Sequence, residues 1–161
     1  MLTRIRKLGD PVLLGKTHSV TNFKEGTQGL AADMTIVMHE HNSVGLSANQ
    51  VGLTVSMFVY DDQNGHYGAI CNPHLEFPDD AKEIYVQEGC LSVPGEFHST
   101  PRYDKVILRG TSPKGNACTI HSQGFLAQIF QHETDHLNGK LYITKLPKAT
   151  QMAIVLANQV I

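Results

Sequence analysis

Three residues in the last quarter of the chain have the types and the spacing of a hydrolytic metal site. His132 and His136 are four positions apart, so on a helix they project from the same face about one turn from each other. Two imidazoles at that separation can bind one metal ion, and the carboxylate of Glu133 can then reach a water on that ion. The His-Glu-x-x-His spacing therefore indicates metal-assisted hydrolysis; the alternative is a solvated polar face of a helix.

A third metal ligand has to come from upstream. Hydrolytic metal sites usually take three protein ligands and leave a fourth position for water, and the chain has no Asp, Glu or His after His136. The best-placed candidate is Cys90, which lies between small and polar neighbours in the segment 88–92. A thiolate and two neutral imidazoles suit a borderline-soft divalent ion such as zinc or ferrous iron, and they disfavour magnesium and calcium.

Composition predicts an ordinary globular enzyme-sized chain. Its 161 residues, 41% hydrophobic and 17% charged, predict one domain over residues 1–161 with a substantial core. A net charge of −2 gives no electrostatic footprint for nucleic acid or anionic lipid, so neither is an expected partner. No apolar run predicts a membrane span or a secretory signal. Three cysteines (Cys71, Cys90 and Cys118) form no disulfide framework, so a cytoplasmic location is expected.

The order of elements predicts an α+β fold, with small antiparallel or mixed sheets around a central metal-binding helix. An apolar stripe predicts an amphipathic helix from about Glu25 to His41. Gly124 is expected to open the histidine helix and Gly139 to end it, and Pro147 to lie in the first turn of a C-terminal helix bearing Met152, Val155 and Leu156. The predicted strands, with a hairpin turn at 112–116, are 54–60, 67–72, 84–88, 105–109 and 117–121.

Three ordered segments of the chain carry a resemblance to a known family. They read Gly-Leu-Ser-Ala-Asn-Gln at 45–50, Glu-Gly-Cys-Leu-Ser at 88–92 and Gln-His-Glu-Thr-Asp-His at 131–136. In order and separation these segments resemble the motifs of the peptide deformylases, and the similarity runs over nearly the whole chain. The first segment departs from the family pattern Gly-x-Gly-x-Ala-Ala-x-Gln, since Ser43 replaces its first glycine and Ser47 its first alanine. Ser43 adds a side chain where an incoming peptide would run close.

The resemblance implies an activity and a catalytic set. It implies removal of the N-formyl group from the N-terminal methionine of newly made polypeptides, with a metal-bound water as nucleophile and Glu133 as general base and then general acid. Donors to the oxyanion would be the Gln50 side-chain amide, the Leu91 backbone N–H and the metal itself. The resemblance also implies ferrous iron as the physiological ion, with zinc, nickel or cobalt as substitutes. Cys90, His132 and His136 would be its ligands.

A substrate-binding surface follows partly from the helix and partly from the resemblance. Phe125 and Gln128 share the face of His132, with Ile129 beside them, and with Val44 they are expected to line the pocket for the methionine side chain. Gln128 is unusual in such a pocket, so it should either find a hydrogen bond or lie at the rim. The resemblance has the peptide lie as an added strand along main chain near two glycines, with Glu88 close to the metal. The expected set is Val44, Gly45, Glu88, Gly89, Phe125, Gln128 and Ile129.

Two other classes of function stay open on sequence alone. One is a catalytically weak or idle deformylase-like protein that binds peptide N-termini, which the altered first motif keeps open. The other is a metallopeptidase, although that class usually takes a third ligand downstream of the helix. Docking on the ribosome is not expected, because relatives that dock carry a longer basic C-terminal helix, whereas Lys148 is the sole charged residue among the last fifteen.

Overall fold

The structure is a computed structural model that describes residues 4–159. Within that range it contains three α-helices and seven strands, joined by three short 3-10 segments. The helices are α1 (Glu25–Glu40), α2 (Gly124–Leu137) and α3 (Lys148–Asn158). The strands are β1 (Gly45–Ser47), β2 (Met57–Asp61), β3 (Tyr67–Glu76), β4 (Glu83–Cys90), β5 (Val93–Tyr103), β6 (Lys105–Thr111) and β7 (Ala117–Gln123). The 3-10 segments are Pro11–Leu13, Ala48–Val51 and Tyr142–Lys145.

Five strands form one antiparallel sheet in the order β1-β2-β3-β6-β7. The predicted hairpin between β6 and β7 is confirmed, with the Gly115 N–H donating to the Ser112 carbonyl in its turn. Strand β2 begins at Met57, three residues later than its composition predicts, because residues 54–56 lead into the sheet and contribute only an isolated bridge between Val55 and His18. Strand β3 continues past Asn72 through an irregularity between Cys71 and His74.

Helix α1 covers the start of this sheet, and its apolar stripe confirms the sequence prediction. Ala31, Met34, Val37 and Met38 are buried on one side of the helix and form a core cluster with residues of β1 and β2. Their i, i+3, i+6 and i+7 spacing is the one that keeps an apolar stripe against a sheet.

A second sheet has two strands, β4 and β5, paired antiparallel with Glu88 opposite His98. The register shifts between Gly89 and Cys90, where β4 ends. Strand β5 was not predicted, because Pro94, Gly95 and Pro101 lower the strand propensity of this segment. Pairing with β4 outweighs that local preference.

Helix α2 lies between the two sheets and carries the two histidines. It begins at Gly124, whose φ of 63° suits glycine, and it is followed by Gly139 at φ 72°, as the sequence predicts. Phe130 packs edge-on against Tyr60 of β2, with ring centroids 4.9 Å apart. The α+β class with a central helix between small sheets is therefore confirmed.

The C-terminal helix α3 is present as predicted and differs from its prediction only in the position of Pro147. Pro147 occupies the position immediately before the helix and not its first turn. The one buried apolar residue of α3 in the described range is Ile154. Met152 and Leu156 are 63% and 57% exposed. Among residues 4–159, no helix has the length and apolarity to cross a bilayer.

Candidate metal centre and active site

Three side chains bring their donor atoms to one point. Cys90 lies at the end of β4, and His132 and His136 lie one turn apart on α2. The Cys90 Sγ is 3.2 Å from the His136 Nε2, which is 3.1 Å from the His132 Nε2. All three donor atoms lie within 4.8 Å of one another. The sequence proposed this trio, and the fold brings it together from two different elements.

The chemistry of this trio fits a borderline-soft divalent ion. Three donors within 4.8 Å of one another, with sulfur and nitrogen as ligand atoms, suit the kind of site that zinc or ferrous iron occupies. The His132 Nδ1 is held by the Glu88 Oε1 at 2.6 Å, so its Nε2 is turned towards the trio. Metal-ligating histidines are oriented by such a carboxylate on their other nitrogen.

Charge in this cluster favours a thiolate. Burial opposes ionisation of the Cys90 thiol, but the adjacent His136 and His132 outweigh it and hold the pKa of Cys90 well below its usual range. Burial also lowers the pKa of His132, but its bonds to Cys90 and Glu88 outweigh that effect and raise it. A thiolate next to imidazoles is the form that binds a metal ion.

Behind the trio lies a buried ion-pair network that joins β4, β5 and α2. Glu88 is 3% exposed and Arg102 is 4% exposed. The Arg102 Nη2 and Nε donate to the two Glu88 oxygens at 2.6 and 2.9 Å, and the Arg102 Nη1 donates to the Asp135 Oδ2 at 2.6 Å. The Thr100 hydroxyl also donates to Glu88. Although burial raises the pKa of Glu88, its bonds to His132 and Arg102 hold it well below the usual range, so the carboxylate stays ionised.

Glu133 has a carboxylate that is buried beside the trio. It is 4% exposed, and its Oε2 has no hydrogen-bond partner among residues 4–159. Burial raises the pKa of Glu133, as expected for a carboxyl group with little solvation. A buried acceptor without a partner is costly, so such a group is expected to serve the site chemically.

Glycine at position 45 is what lets Glu133 reach this position. A Cβ on Gly45 would overlap the Glu133 Oε1 and lie 2.9 Å from its Cδ. From the sequence, Gly45 is expected to let a substrate backbone approach closely. The structure adds a second reason, because the carboxylate of Glu133 fills the space where a side chain would be.

Gln50 is 2% exposed, and its amide is fixed in orientation by the start of the 3-10 segment that follows β1. Its Oε1 accepts from the Ser47 N–H at 3.0 Å and from the Ser47 hydroxyl at 3.1 Å. The Nε2 therefore faces Ser92 Oγ, at 3.2 Å, and Cys90 Sγ, at 3.5 Å. The Ser47 hydroxyl, in place of alanine, also lies 3.0 Å from the Asn49 Oδ1, so its one hydrogen is shared between Asn49 and the Gln50 amide.

A cavity of about 500 Å³ opens onto the metal site, which is an ordinary size for a small-molecule or peptide pocket. It lies between β1 on one side and the end of β4 on the other, with α2 as its floor. The lining includes Gln50, Leu91, His132 and Glu133. It also includes every residue expected to contact substrate: Val44, Gly45, Glu88, Gly89, Phe125, Gln128 and Ile129.

Two residues of this cavity are unusual in character. The Gln128 Nε2 donates to the Gln87 carbonyl at 2.8 Å, and the side chain is partly exposed, so it both finds a hydrogen bond and lies at the rim. Phe97 is 76% exposed and lies over Gly89, where a Cβ would be 2.5 Å from the Phe97 Cε1. Because the ring of Phe97 is exposed and lines the cavity, this part of its mouth is apolar.

Two members of the ion-pair network, Arg102 and Asp135, were not predicted from the sequence. Arg102 was not singled out, because a lone arginine in an unrecognised strand has no local signal of a buried partner. Asp135 belongs to the third motif, but no role was predicted for it. Its position three residues after His132 places it beside the metal face of the helix, and that spacing is the one signal that could have suggested it.

Comparison with known proteins gives one consistent result. The family model described as polypeptide deformylase matches residues 2–152. The peptide deformylase of Halothermothrix orenii is 42% identical over 145 residues, which cover 89% of this chain and 92% of that protein. Peptide deformylase 1 of Streptomyces avermitilis is 40% identical over 150 residues, covering 89% of this chain and 69% of its own. The crystal structure of the peptide deformylase from Thermus thermophilus matches with a TM-score of 0.88 and 35% identity, covering 96% of this chain and 92% of that one.

Proposed function

Because the chain belongs to the polypeptide deformylase family, we propose that it removes the N-formyl group from the first methionine of newly made polypeptides, using the trio and Glu133 described above. The reaction is hydrolysis of a formamide, which consumes water and releases formate and a free amine. The observation that carries this proposal is the convergence of Cys90, His132 and His136 beside the buried, unpartnered Oε2 of Glu133, an arrangement found among residues 4–159 at the end of one cavity.

The trio would hold one divalent metal ion, and ferrous iron is our choice of native ion because of the family, with zinc, nickel or cobalt as substitutes. When bound, such an ion acts as a Lewis acid that makes water a stronger nucleophile at neutral pH and polarises a carbonyl group. The donor set supports a borderline-soft ion in general and does not choose among these four.

Glu133 is the group that moves the proton. Its carboxylate takes a proton from the attacking water and later gives it to the nitrogen of the leaving amine, so no net proton is gained or lost by the side chain. Burial without a partner keeps the carboxylate ready for this role, because no protein donor among residues 4–159 has to be displaced from its Oε2.

Gln50 and Leu91 would stabilise the negative charge on the formyl oxygen. The Gln50 Nε2 already points towards the trio because Ser47 holds its Oε1. Leu91, next to Cys90, also lines the cavity, and its backbone N–H would be the second donor. Removal of one such donor typically raises the barrier by about 2.7–4 kcal/mol.

The peptide would bind as an added strand between β1 and β4, with the methionine side chain in the pocket formed by Val44, Phe125, Gln128 and Ile129. Both Gly45 and Gly89 line the cavity at the places where another backbone would pass. We also propose that residues 1–161 act as one catalytic domain in the cytoplasm, where newly made polypeptides are found and where three free thiols are stable.

One assay tests the function and separates its alternatives. The protein is loaded anaerobically with ferrous iron or with nickel and given formyl-Met-Ala-Ser, acetyl-Met-Ala-Ser and an internally quenched peptide. We expect release of formate from the first substrate only. Cleavage confined to the quenched peptide would identify a metallopeptidase. No turnover of any of the three substrates, with metal bound, would identify a catalytically idle deformylase-like protein.

Glu133→Gln is the decisive variant for the mechanism. We expect it to retain stoichiometric metal and to lose activity by a factor of about 10²–10⁴, the usual contribution of a general acid–base. Glu83→Gln, an exposed position on β4, serves as the matched control and should keep wild-type activity. Loss of metal from Glu133→Gln would contradict the assignment, since it would make Glu133 a ligand.

A further inference from the structure

The free edge of β1 carries a hydrogen bond between two residues of the same short segment, Ser43 and Gly45. Strand β1 pairs with β2 along one edge, and no strand among the described residues pairs with the other. The Asp61 N–H donates to the Val44 carbonyl, so that carbonyl faces β2. Because backbone groups alternate along a strand, the carbonyl of the next residue, Gly45, faces the free edge. That edge borders the cavity.

The Gly45 carbonyl already has a donor. The Ser43 hydroxyl donates to the Gly45 oxygen at 2.8 Å, across two positions of the same segment. Ser43 itself lines the cavity and is partly buried. Its own N–H donates to the Met38 carbonyl at 3.0 Å, at the end of α1, so the backbone that carries the hydroxyl is anchored.

We propose that Ser43 is a positioning residue that weakens peptide binding by occupying the Gly45 carbonyl, the acceptor that an added strand would use at this edge. An incoming peptide N–H must displace the hydroxyl or share the oxygen with it, so part of the hydrogen-bond energy of docking is lost. Glycine or alanine at this position would leave the carbonyl unoccupied. This inference rests on the proposed function, because it requires a peptide bound along β1.

The variant Ser43→Ala tests the inference, because it removes the hydroxyl and retains a Cβ. On the metal-loaded enzyme we expect KM for formyl-Met-Ala-Ser to fall about three- to tenfold, the worth of about one net hydrogen bond, with kcat within about twofold of the wild type. Ser43→Thr, which keeps the donor, should keep the wild-type KM. Ser99→Ala, an exposed serine on β5, should also leave both constants unchanged.

A second measurement shows whether the gain comes from a hydrogen bond to the peptide. Acetyl-Met-Ala-Ser and its three singly N-methylated analogues are used as inhibitors, since each methyl group removes one peptide N–H. The Ser43→Ala enzyme should bind the unmethylated peptide more tightly by the same factor as KM falls, and one analogue should lose this gain. The N–H missing in that analogue is the one that binds the Gly45 carbonyl.

Two outcomes would overturn the inference. An unchanged KM in Ser43→Ala would show that the hydroxyl does not compete with substrate. A gain that survives all three methylations would show that Ser43 acts by another route, such as loosening of residues 42–45. Neither outcome affects the proposed deformylase function, which is measured on the wild-type enzyme. A wild-type enzyme without deformylase activity would instead contradict the proposed function on which this inference rests.

Discussion

Glu88 shows how much of this site depends on one carboxylate that need not touch the reacting groups. One of its oxygens fixes the His132 ring through the Nδ1, and both oxygens bind Arg102. Arg102 extends the link to Asp135 on α2. The His132 ring is thus oriented by a chain of charged groups, each of which is buried or partly buried and has a partner.

We expect Glu88→Gln to weaken metal binding about 10- to 100-fold, the usual effect of changing a residue that orients a ligand. The amide is nearly the same size as the carboxyl group but carries no charge, so the bond to the His132 Nδ1 weakens and Arg102 loses part of its compensation. Competition between the protein and a chelator for nickel or zinc measures the change. Glu83→Gln is the control, and equal affinities in the two variants would contradict the role of Glu88.

At the scale of elements, the site depends on how closely β1 and α2 approach each other. The two elements cross where Gly45 faces Glu133, and no side chain fits between the strand and the carboxylate. The short β1 therefore matters in two ways, since its free edge borders the cavity and its first residue leaves space for the Glu133 carboxylate.

Gly45→Ala is expected to lower kcat about a hundredfold while metal binding stays close to wild type. The added methyl group must displace the Glu133 carboxylate, and a displacement of about 1 Å can cost that much in rate. Steady-state kinetics and a metal titration on the same preparation measure both effects.

The matched control for this substitution is Gly29→Ala on α1. A Cβ on Gly29 would have no neighbour within 4 Å, so activity should not change, and the free energy of unfolding should rise by about 0.5–1 kcal/mol. A normal kcat in Gly45→Ala would show that Glu133 tolerates displacement.

For the whole molecule, the metal site joins two separately built parts. Cys90 comes from the two-stranded sheet of β4 and β5, whereas both histidines come from the helix that packs on the five-stranded sheet. An ion bound to all three ligands therefore ties one sheet to the other. Binding energy for such an ion is also folding energy.

Metal removal should consequently lower the stability of the fold. At a free metal concentration of 100 times Kd, the free energy of unfolding should exceed that of the chelator-treated protein by about 2.7 kcal/mol. Urea unfolding with nickel or with chelator measures the difference. Cys90→Ser should lose most of this gain, whereas Cys118→Ser should retain it, and an equal gain in both variants would mean that the stabilising ion binds elsewhere.

The features that sequence predicted well are those with a local signal. The spacing of His132 and His136 and the apolar stripe of α1 are written in consecutive residues, and the structure reproduces the geometry that they imply. Strand β5 and the burial of Arg102 have no such signal, because both depend on partners that become neighbours only after folding. The contact of Gly45 with Glu133 joins positions 88 residues apart, so the reason for that glycine could be read only from the fold.

The shortness of β1 also limits how far its free edge can pair with a strand of another molecule. A long unpaired strand edge recruits other β-strands and promotes aggregation, and this edge is only three residues long, with Gly45 at its start lining the cavity. So short an edge offers few backbone groups to a strand of a folded neighbour, whereas a single extended peptide can lie in the cavity that borders it. The shortness of β1 thus limits what a second folded sheet could pair with, while the cavity beside Gly45 leaves room for one extended chain.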